Sequence, residues 1–195
     1  LQQQFDALTN SQKLIAGLLA VAGEPMGKAR ILVHTAEMGM AMPSTMLDDD
    51  TRLLRALGII TESIGRGFTI APEAVWPAIR TALENSFFVP LCDVYQKVTP
   101  LRKNWEGYVV LRSYRQGLAL LRIALIGGAE LHTVASLLDA CLACHEAGYL
   151  HPLVDLFGRP FVPEMFESVH PDLQDDLLGT LIVHAQREPA SAPLL

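Results

Sequence analysis

The stretch LLRALGIITESIGRGFTI, from Leu53 to Ile70, decides the fold because the spacing of its apolar residues changes within it. Up to Leu57 the leucines recur at the three- and four-residue spacing of a helix, and Gly58 is placed to end that helix. Beyond it, short β-rich runs flank Gly65-Arg66-Gly67, whose glycines supply the positive φ angles of a tight turn. The stretch therefore predicts a helix followed by a two-stranded hairpin.

The residues on both sides of this stretch predict further helices. Asn10 or Ser11 can cap a first helix, and a second is expected from Gly27 to Met38. A third begins after Pro43-Ser44-Thr45, and Pro72 opens another beyond the hairpin. We therefore expect residues 1–85 to hold three helices, a hairpin and a closing helix.

This order of elements resembles a winged helix-turn-helix domain. The segment from Pro43 to Ile70 is similar to the recognition helix and wing of MarR-type regulators. The segment LTNSQKLIAGLLAVAGEP, from Leu8 to Pro25, is similar to the opening of the winged helix beside the nucleotide-binding core of STAND-type ATPases. The resemblance implies the fold of about the first 85 residues but does not choose between these functions.

The remaining residues, 86–195, are predicted to form an antiparallel α-helical array that is similar in style to tetratricopeptide proteins, although no repeat period is present. A connector containing Pro90 and Pro100 is expected to lead into one long helix from Asn104 to Ile126. The further helices are predicted from Glu130 to Ala147, with Gly148 as cap, and after Pro152, Pro163 and Pro171. The expected fold is thus mainly α, a winged helix-turn-helix domain joined to a helical array.

Four residues of the winged-helix segment are candidates for contact with nucleic acid or a partner. On the family pattern, Ser44, Thr45 and Arg52 lie on the recognition helix and Arg66 at the wing tip. Three carboxylates follow in the same helix, at Asp48, Asp49 and Asp50. If they face a DNA groove they repel phosphate, and the first 85 residues hold seven basic against nine acidic residues. The sequence therefore favours a solvated hairpin tip over a DNA contact.

A second candidate surface follows from the predicted long helix. The spacing would place an aromatic and basic stripe on one face of that helix, at Trp105, Tyr108, Arg112, Arg115 and Arg122. Such a stripe could receive an acidic partner segment or a nucleic-acid backbone, and the alternative is a solvated face paired with carboxylates.

The segment CLACH, from Cys141 to His145, matches the attachment motif of c-type haem. A zinc site made of Cys141, Cys144, His145 and His151 is also geometrically conceivable. Both cysteines nevertheless fit the buried stripe of an amphipathic helix, so we expect core cysteines, no metal and no cofactor.

The chain carries no motif of a nucleotide-binding loop, a hydrolase nucleophile or a metalloprotease, so we expect no catalytic residues. The formal charge is −6, and no apolar run approaches the ~20 residues that span a bilayer. We therefore expect a cytoplasmic, non-catalytic interaction and regulatory module, a piece of a larger ATPase, helicase-like protein or regulator that contacts protein partners or other domains of its own chain. The alternative is a DNA-binding transcriptional regulator that uses the winged helix.

Overall fold

A computed structural model of the chain describes residues 2–144, 150–158 and 161–187. The described residues are mainly helical, with two short antiparallel hairpins, which confirms the predicted fold class. The chain divides into two compact units, the first ending at Pro100 and the second beginning at Leu101. Among the described helices, none combines the length and the apolar character that crossing a membrane requires.

The described part of the first unit contains six α-helices and one hairpin. They are α1 Gln2–Asp6, α2 Asn10–Ala22, α3 Lys28–Glu37, α4 Ser44–Ala56, β1 Ile60–Ser63, β2 Gly67–Ile70, α5 Val75–Glu84 and α6 Phe88–Val98. Helix α2 begins at a capping box in which Thr9, not Asn10 or Ser11, is the N-cap, and Gln12 completes the box. It ends at Gly23, which has a positive φ angle.

Helix α2 is the centre of the first unit. Every residue from Leu14 to Ala22 is buried, and α2 contacts α3, α4, α5, α6 and β2. Gly17 lets α6 come close, because a Cβ there would lie 2.9 Å from Cδ1 of Leu91. A helix buried on all sides needs neighbours on all sides, and the first unit supplies them.

Gln12 also ties α2 to α4. Its Oε1 accepts a hydrogen bond from the Thr9 N–H at 3.1 Å, and its Nε2 donates to Oδ1 of Asp50 at 2.8 Å in the buried interior. Asp50 therefore points into the core of the unit and is not one of the carboxylates that a DNA groove facing α4 would meet. A buried carboxylate requires such a partner because desolvation is costly.

The β1–β2 hairpin takes the predicted place after α4, with Ile60 opposite Ile70 and Ser63 opposite Gly67. The chain before α3 adds a bridge to it, since the N–H groups of Met26 and Phe68 each donate to the other residue's carbonyl at 2.9 Å. Gly67 has a φ of +98°, and a Cβ at this position would collide with the Met26 carbonyl. Only glycine fits this approach.

Helix α6 lies where the sequence led us to expect a connector. Pro90 falls in its first turn, where proline is tolerated, and α6 contacts α2, α3 and α5. The Lys97 ammonium forms an ion pair with Glu37 of α3. Because of these contacts the first unit extends to Pro100, beyond the expected end at residue 85.

The described part of the second unit contains a short hairpin and five helices. They are β3 Arg102–Lys103, β4 Val109–Val110, α7 Tyr114–Ile126, α8 Leu131–Ala143, α9 Pro152–Phe157, α10 Pro163–Glu167 and α11 Pro171–Arg187. The predicted long helix ends at Ile126 as expected but begins at Tyr114, not at Asn104, because residues 104–113 form the turn and return strand of the hairpin and the loop before α7. The predicted cap at Gly148 lies outside the described residues.

Helix α7 packs closely on α8 at a glycine. A Cβ at Gly117 would lie 2.6 Å from Sγ of Cys141, so the bare backbone makes room for that sulfur. At the start of α7, the buried Tyr114 places its hydroxyl 2.9 Å from the Leu150 carbonyl and 2.8 Å from Oδ2 of Asp155. These contacts join α7 to α8 and to α9.

We predict that Gly67→Ala destabilises the first unit far more than Gly65→Ala. Gly65 also has a positive φ, but a Cβ there meets open space, so its cost is the strained backbone alone, about 1 kcal/mol. Gly67→Ala adds the collision with Met26 and should cost ~3 kcal/mol or more. Urea unfolding of both variants measures this, and equal losses would contradict the close approach.

We predict that His34 makes the first unit less stable in mild acid. His34 is fully buried, its Nδ1 donates to the Arg30 carbonyl at 2.7 Å, and burial lowers its pKa from 6.5, with the Arg30 charge adding to the effect. The neutral ring is favoured in the fold, so its stability is present above the unfolded pKa and falls as the pH drops below it.

Unfolding curves at successive pH values test this. The loss should approach ~1.4 kcal/mol per pH unit below the unfolded pKa. His34→Gln should flatten the slope, because it removes the group whose pKa the fold lowers. The same slope in wild type and His34→Gln would refute the assignment.

Candidate interaction surface

The candidate surface of the first unit is formed by α4 and the β1–β2 hairpin. Ser44 and Thr45 are the first two residues of α4 and are exposed, as is Arg52 two turns later. Arg66 lies exposed at the hairpin tip. The structure thus places the four predicted residues in water on two consecutive elements, α4 and the hairpin.

The cations along α4 are each paired with a carboxylate. The pairs join Lys28 to Asp48 at 2.6 Å, Arg52 to Asp49 at 3.0 Å and Arg55 to Glu62 at 2.5 Å. Such exposed pairs add little stability, ~0.2–1 kcal/mol each. They do cancel the positive charge that a DNA-binding helix needs for contact with phosphate. A phosphate that approached Arg52 would have to displace Asp49.

Arg66 differs from these cations. Its side chain forms no ion pair within the described part of the chain. Beside it, Ile64 is fully exposed, an unusual place for a large apolar side chain in a tight turn. The tip therefore offers one cation and one apolar group together.

Apolar side chains on α4 also lie in water. Leu47 and Leu54 are fully buried as predicted, but Leu53 is 44% exposed and Met46 is 43% exposed. The methionines before α4, Met38, Met40 and Met42, are half-buried. The exposure of Leu53 was not predicted because the leucine spacing assigns it to the buried face, while the packing of α4 is centred on Leu47, Thr51 and Leu54.

The predicted aromatic and basic stripe of the second unit does not exist as a helix face. Trp105 and Tyr108 lie in the β3–β4 turn, 92% and 68% exposed. Arg112 lies in the loop before α7, and Arg115 is exposed on the first turn of α7. Arg122 is only 8% exposed, so the prediction that it is exposed on the stripe is wrong. The aromatic groups are instead carried on a hairpin arm.

The cysteine motif lies at the end of α8. Cys141 is buried against α7, and burial raises its pKa to about 12, as it does for Cys92 in α6. Cys144 is half-buried, and His145 lies outside the described residues. His151 uses Nδ1 to accept a hydrogen bond from the Leu153 N–H at the start of α9. The described residues contain no cluster of three metal ligands.

A cavity of about 300 Å³ lies in the second unit between α8 and α11. The sequence alone does not predict this cavity, because its lining comes from four helices. The lining is mostly leucine, with Leu131 and Leu138 from α8, and the carboxylates of Asp172 and Asp176 stand on α11.

Comparison of the chain with protein-family models, curated proteins and solved structures finds no match.

We predict that Cys92 and Cys141 do not react with a thiol reagent in the folded chain at neutral pH. Both are buried and their pKa values are about 12, so almost no thiolate is present. A colorimetric thiol assay should count all three cysteines only after denaturation. Cys144→Ser should remove any native reaction, and rapid native labelling of Cys141 would contradict its position.

Proposed function

We propose that this chain is a non-catalytic interaction and regulatory module in which α4 and the β1–β2 hairpin contact a protein partner or another domain. The observation that carries the proposal is the pairing of the α4 cations with carboxylates, beside exposed Met46, Leu53 and Ile64. Charge-cancelled surfaces with exposed apolar anchors suit protein contacts, where depletion of net charge at the centre is typical.

The resemblance to winged helix-turn-helix domains supports the same proposal. MarR-type regulators and STAND-type ATPases both place such a domain beside other functional parts, so the fold suits a regulatory module of either kind.

The proposal locates the module in the cytoplasm, because its three cysteines are free and too few for a disulfide framework.

The alternative function is that of a DNA-binding transcriptional regulator. It is favoured by one feature, Arg66 at the hairpin tip, which is exposed and has no ion pair among the described residues, together with Ser44 and Thr45 at the start of α4. One arginine supplies a single phosphate contact, whereas specific complexes neutralise several phosphates. The proposal therefore assigns the surface to protein rather than to DNA.

A binding experiment with duplex DNA distinguishes the two functions. We expect fluorescence anisotropy at ~0.15 M salt to give no dissociation constant below the ~10⁻⁴ to 10⁻⁶ M of non-specific contact, with little change in Arg66→Ala. A nanomolar complex with a steep salt dependence, weakened by Arg66→Ala and strengthened by Asp48→Asn with Asp49→Asn, would establish the alternative.

A site-specific cross-link tests the protein contact directly. When a photo-reactive residue replaces Leu53 in cells that produce the chain, irradiation should yield a discrete adduct with a protein. The additional substitution Met46→Asp should abolish this adduct. The matched control is the same residue at Gln96, an exposed position on α6. Equal cross-linking from both positions would remove support for α4 as the contact surface.

A further inference from the structure

Charge in the second unit is segregated rather than paired. Four exposed basic residues lie on or next to the β3–β4 hairpin, Arg102, Lys103, Arg112 and Arg115. None of them forms an ion pair within the described residues. In the first unit, by contrast, six cations are paired with carboxylates. These four cations outnumber Glu106, the exposed acid in the turn of the same hairpin, so the arm is net basic and favours an acidic partner.

The hairpin turn holds its aromatic residues in water on an ordered backbone. Oδ1 of Asn104 accepts hydrogen bonds from the N–H groups of Glu106 at 3.0 Å and Tyr108 at 2.9 Å, and the turn is closed by the Asn104 N–H on the Tyr108 carbonyl at 2.9 Å. Trp105 is 92% exposed on this turn. An exposed tryptophan on an ordered turn has the properties of an interface anchor, because little entropy is lost on burial.

The cavity between α8 and α11 has the complementary properties. Leu125 and Leu153 line it from α7 and α9, Leu131, Ala135 and Leu138 line it from α8, and Asp172 and Asp176 line it from α11. A volume of about 300 Å³ is at the lower end of ligand pockets, which suits one large side chain better than a cofactor. The site is apolar inside and acidic on one wall.

The acidic wall has no lysine or arginine beside it on α8 or in the part of α11 that lines the cavity. Residues 131–143 of α8 and 171–186 of α11 contain no lysine or arginine. Oδ2 of Asp172 lies 3.7 Å from Nδ1 of His170, which accepts a hydrogen bond from the Asp172 N–H, and Asp176 has no ion pair among the described residues. A ligand that brings positive charge beside an apolar group is therefore favoured.

We propose that the chain associates with a second copy of itself, with Trp105 of one copy inserted into the α8–α11 cavity of the other. In this contact Arg102 and Lys103 would meet the acidic wall at Asp172 and Asp176. The same sequence carries both complementary surfaces, which identifies the occupant. The contact involves only residues of the second unit, so its test is independent of the test of the function proposed for α4.

The association should be weak and sensitive to salt. One hairpin covers less surface than the ~1,200 Å² of the smallest stable interfaces, so a micromolar dissociation constant is expected. Sedimentation velocity of the whole chain from about 5 to about 500 µM should show a rising mean mass, which falls at ~0.5 M salt. In a Trp76→Phe background, the emission of Trp105 should shift to shorter wavelength over the same range.

Matched variants separate this contact from any other self-association. Trp105→Ala removes the anchor, and Ala135→Arg places a cation at the exposed lining of the cavity. Ser136→Arg is the control for the second change, because it adds the same charge at the neighbouring exposed position outside the cavity lining. We expect at least ~10-fold weaker association in the first two variants and wild-type association in the control.

Mixing the two defective variants gives the decisive result. Trp105→Ala retains an open cavity and Ala135→Arg retains the anchor, so each should be monomeric alone while the mixture forms a one-to-one complex. A wild-type chain that stays monomeric at about 500 µM overturns the proposal. So does undiminished association of Trp105→Ala, or a loss in Ser136→Arg equal to that in Ala135→Arg.

Discussion

The complete burial of α2 is the constraint on which the first unit depends. A helix without a polar face from Leu14 to Ala22 is stable only when other elements cover it on every side, and α3, α4, α5, α6 and β2 do so. The large side chains of α2 lie mainly on one side of the helix. Small residues such as Gly17 lie on the other side and let α6 approach. The hairpin follows from the same centre, because β2 contacts α2 and pairs with Met26 just beyond it.

The three consecutive aspartates of α4 show how one sequence run divides into different roles in space. Asp50 is buried and bound to Gln12, Asp48 is paired with Lys28 of α3, and Asp49 is paired within its own helix. The net charge of the segment does not show which of the three carboxylates is buried and which are paired with cations. Repulsion of phosphate by all three was expected, whereas one of them holds α4 on α2 and the other two neutralise the cations that a phosphate would seek.

The two units use charge in opposite ways. Among the described residues of the first unit, ion pairs leave only Lys13 and Arg66 without a carboxylate partner, and this arrangement suits a contact made by apolar side chains. In the second unit the basic hairpin forms no ion pair, and the acidic cavity wall none with a lysine or arginine, among the described residues, so electrostatic attraction is available for binding. This difference between the units is the physical basis for assigning them different partners.

The sequence by itself determined the elements whose signals are local. The helix that ends before Gly58, the hairpin with glycines at 65 and 67, and the helices opened by Pro152, Pro163 and Pro171 all follow from backbone preferences of single residues. Tertiary structure alone decided the helical state of Phe88–Val98, the hairpin in place of a helix after Arg102, and the burial of Asp50 and Arg122. Helical spacing cannot show these, because it marks a face but not what covers it. Which charges pair, and which side chains enclose a cavity, depends on residues brought together from distant parts of the chain.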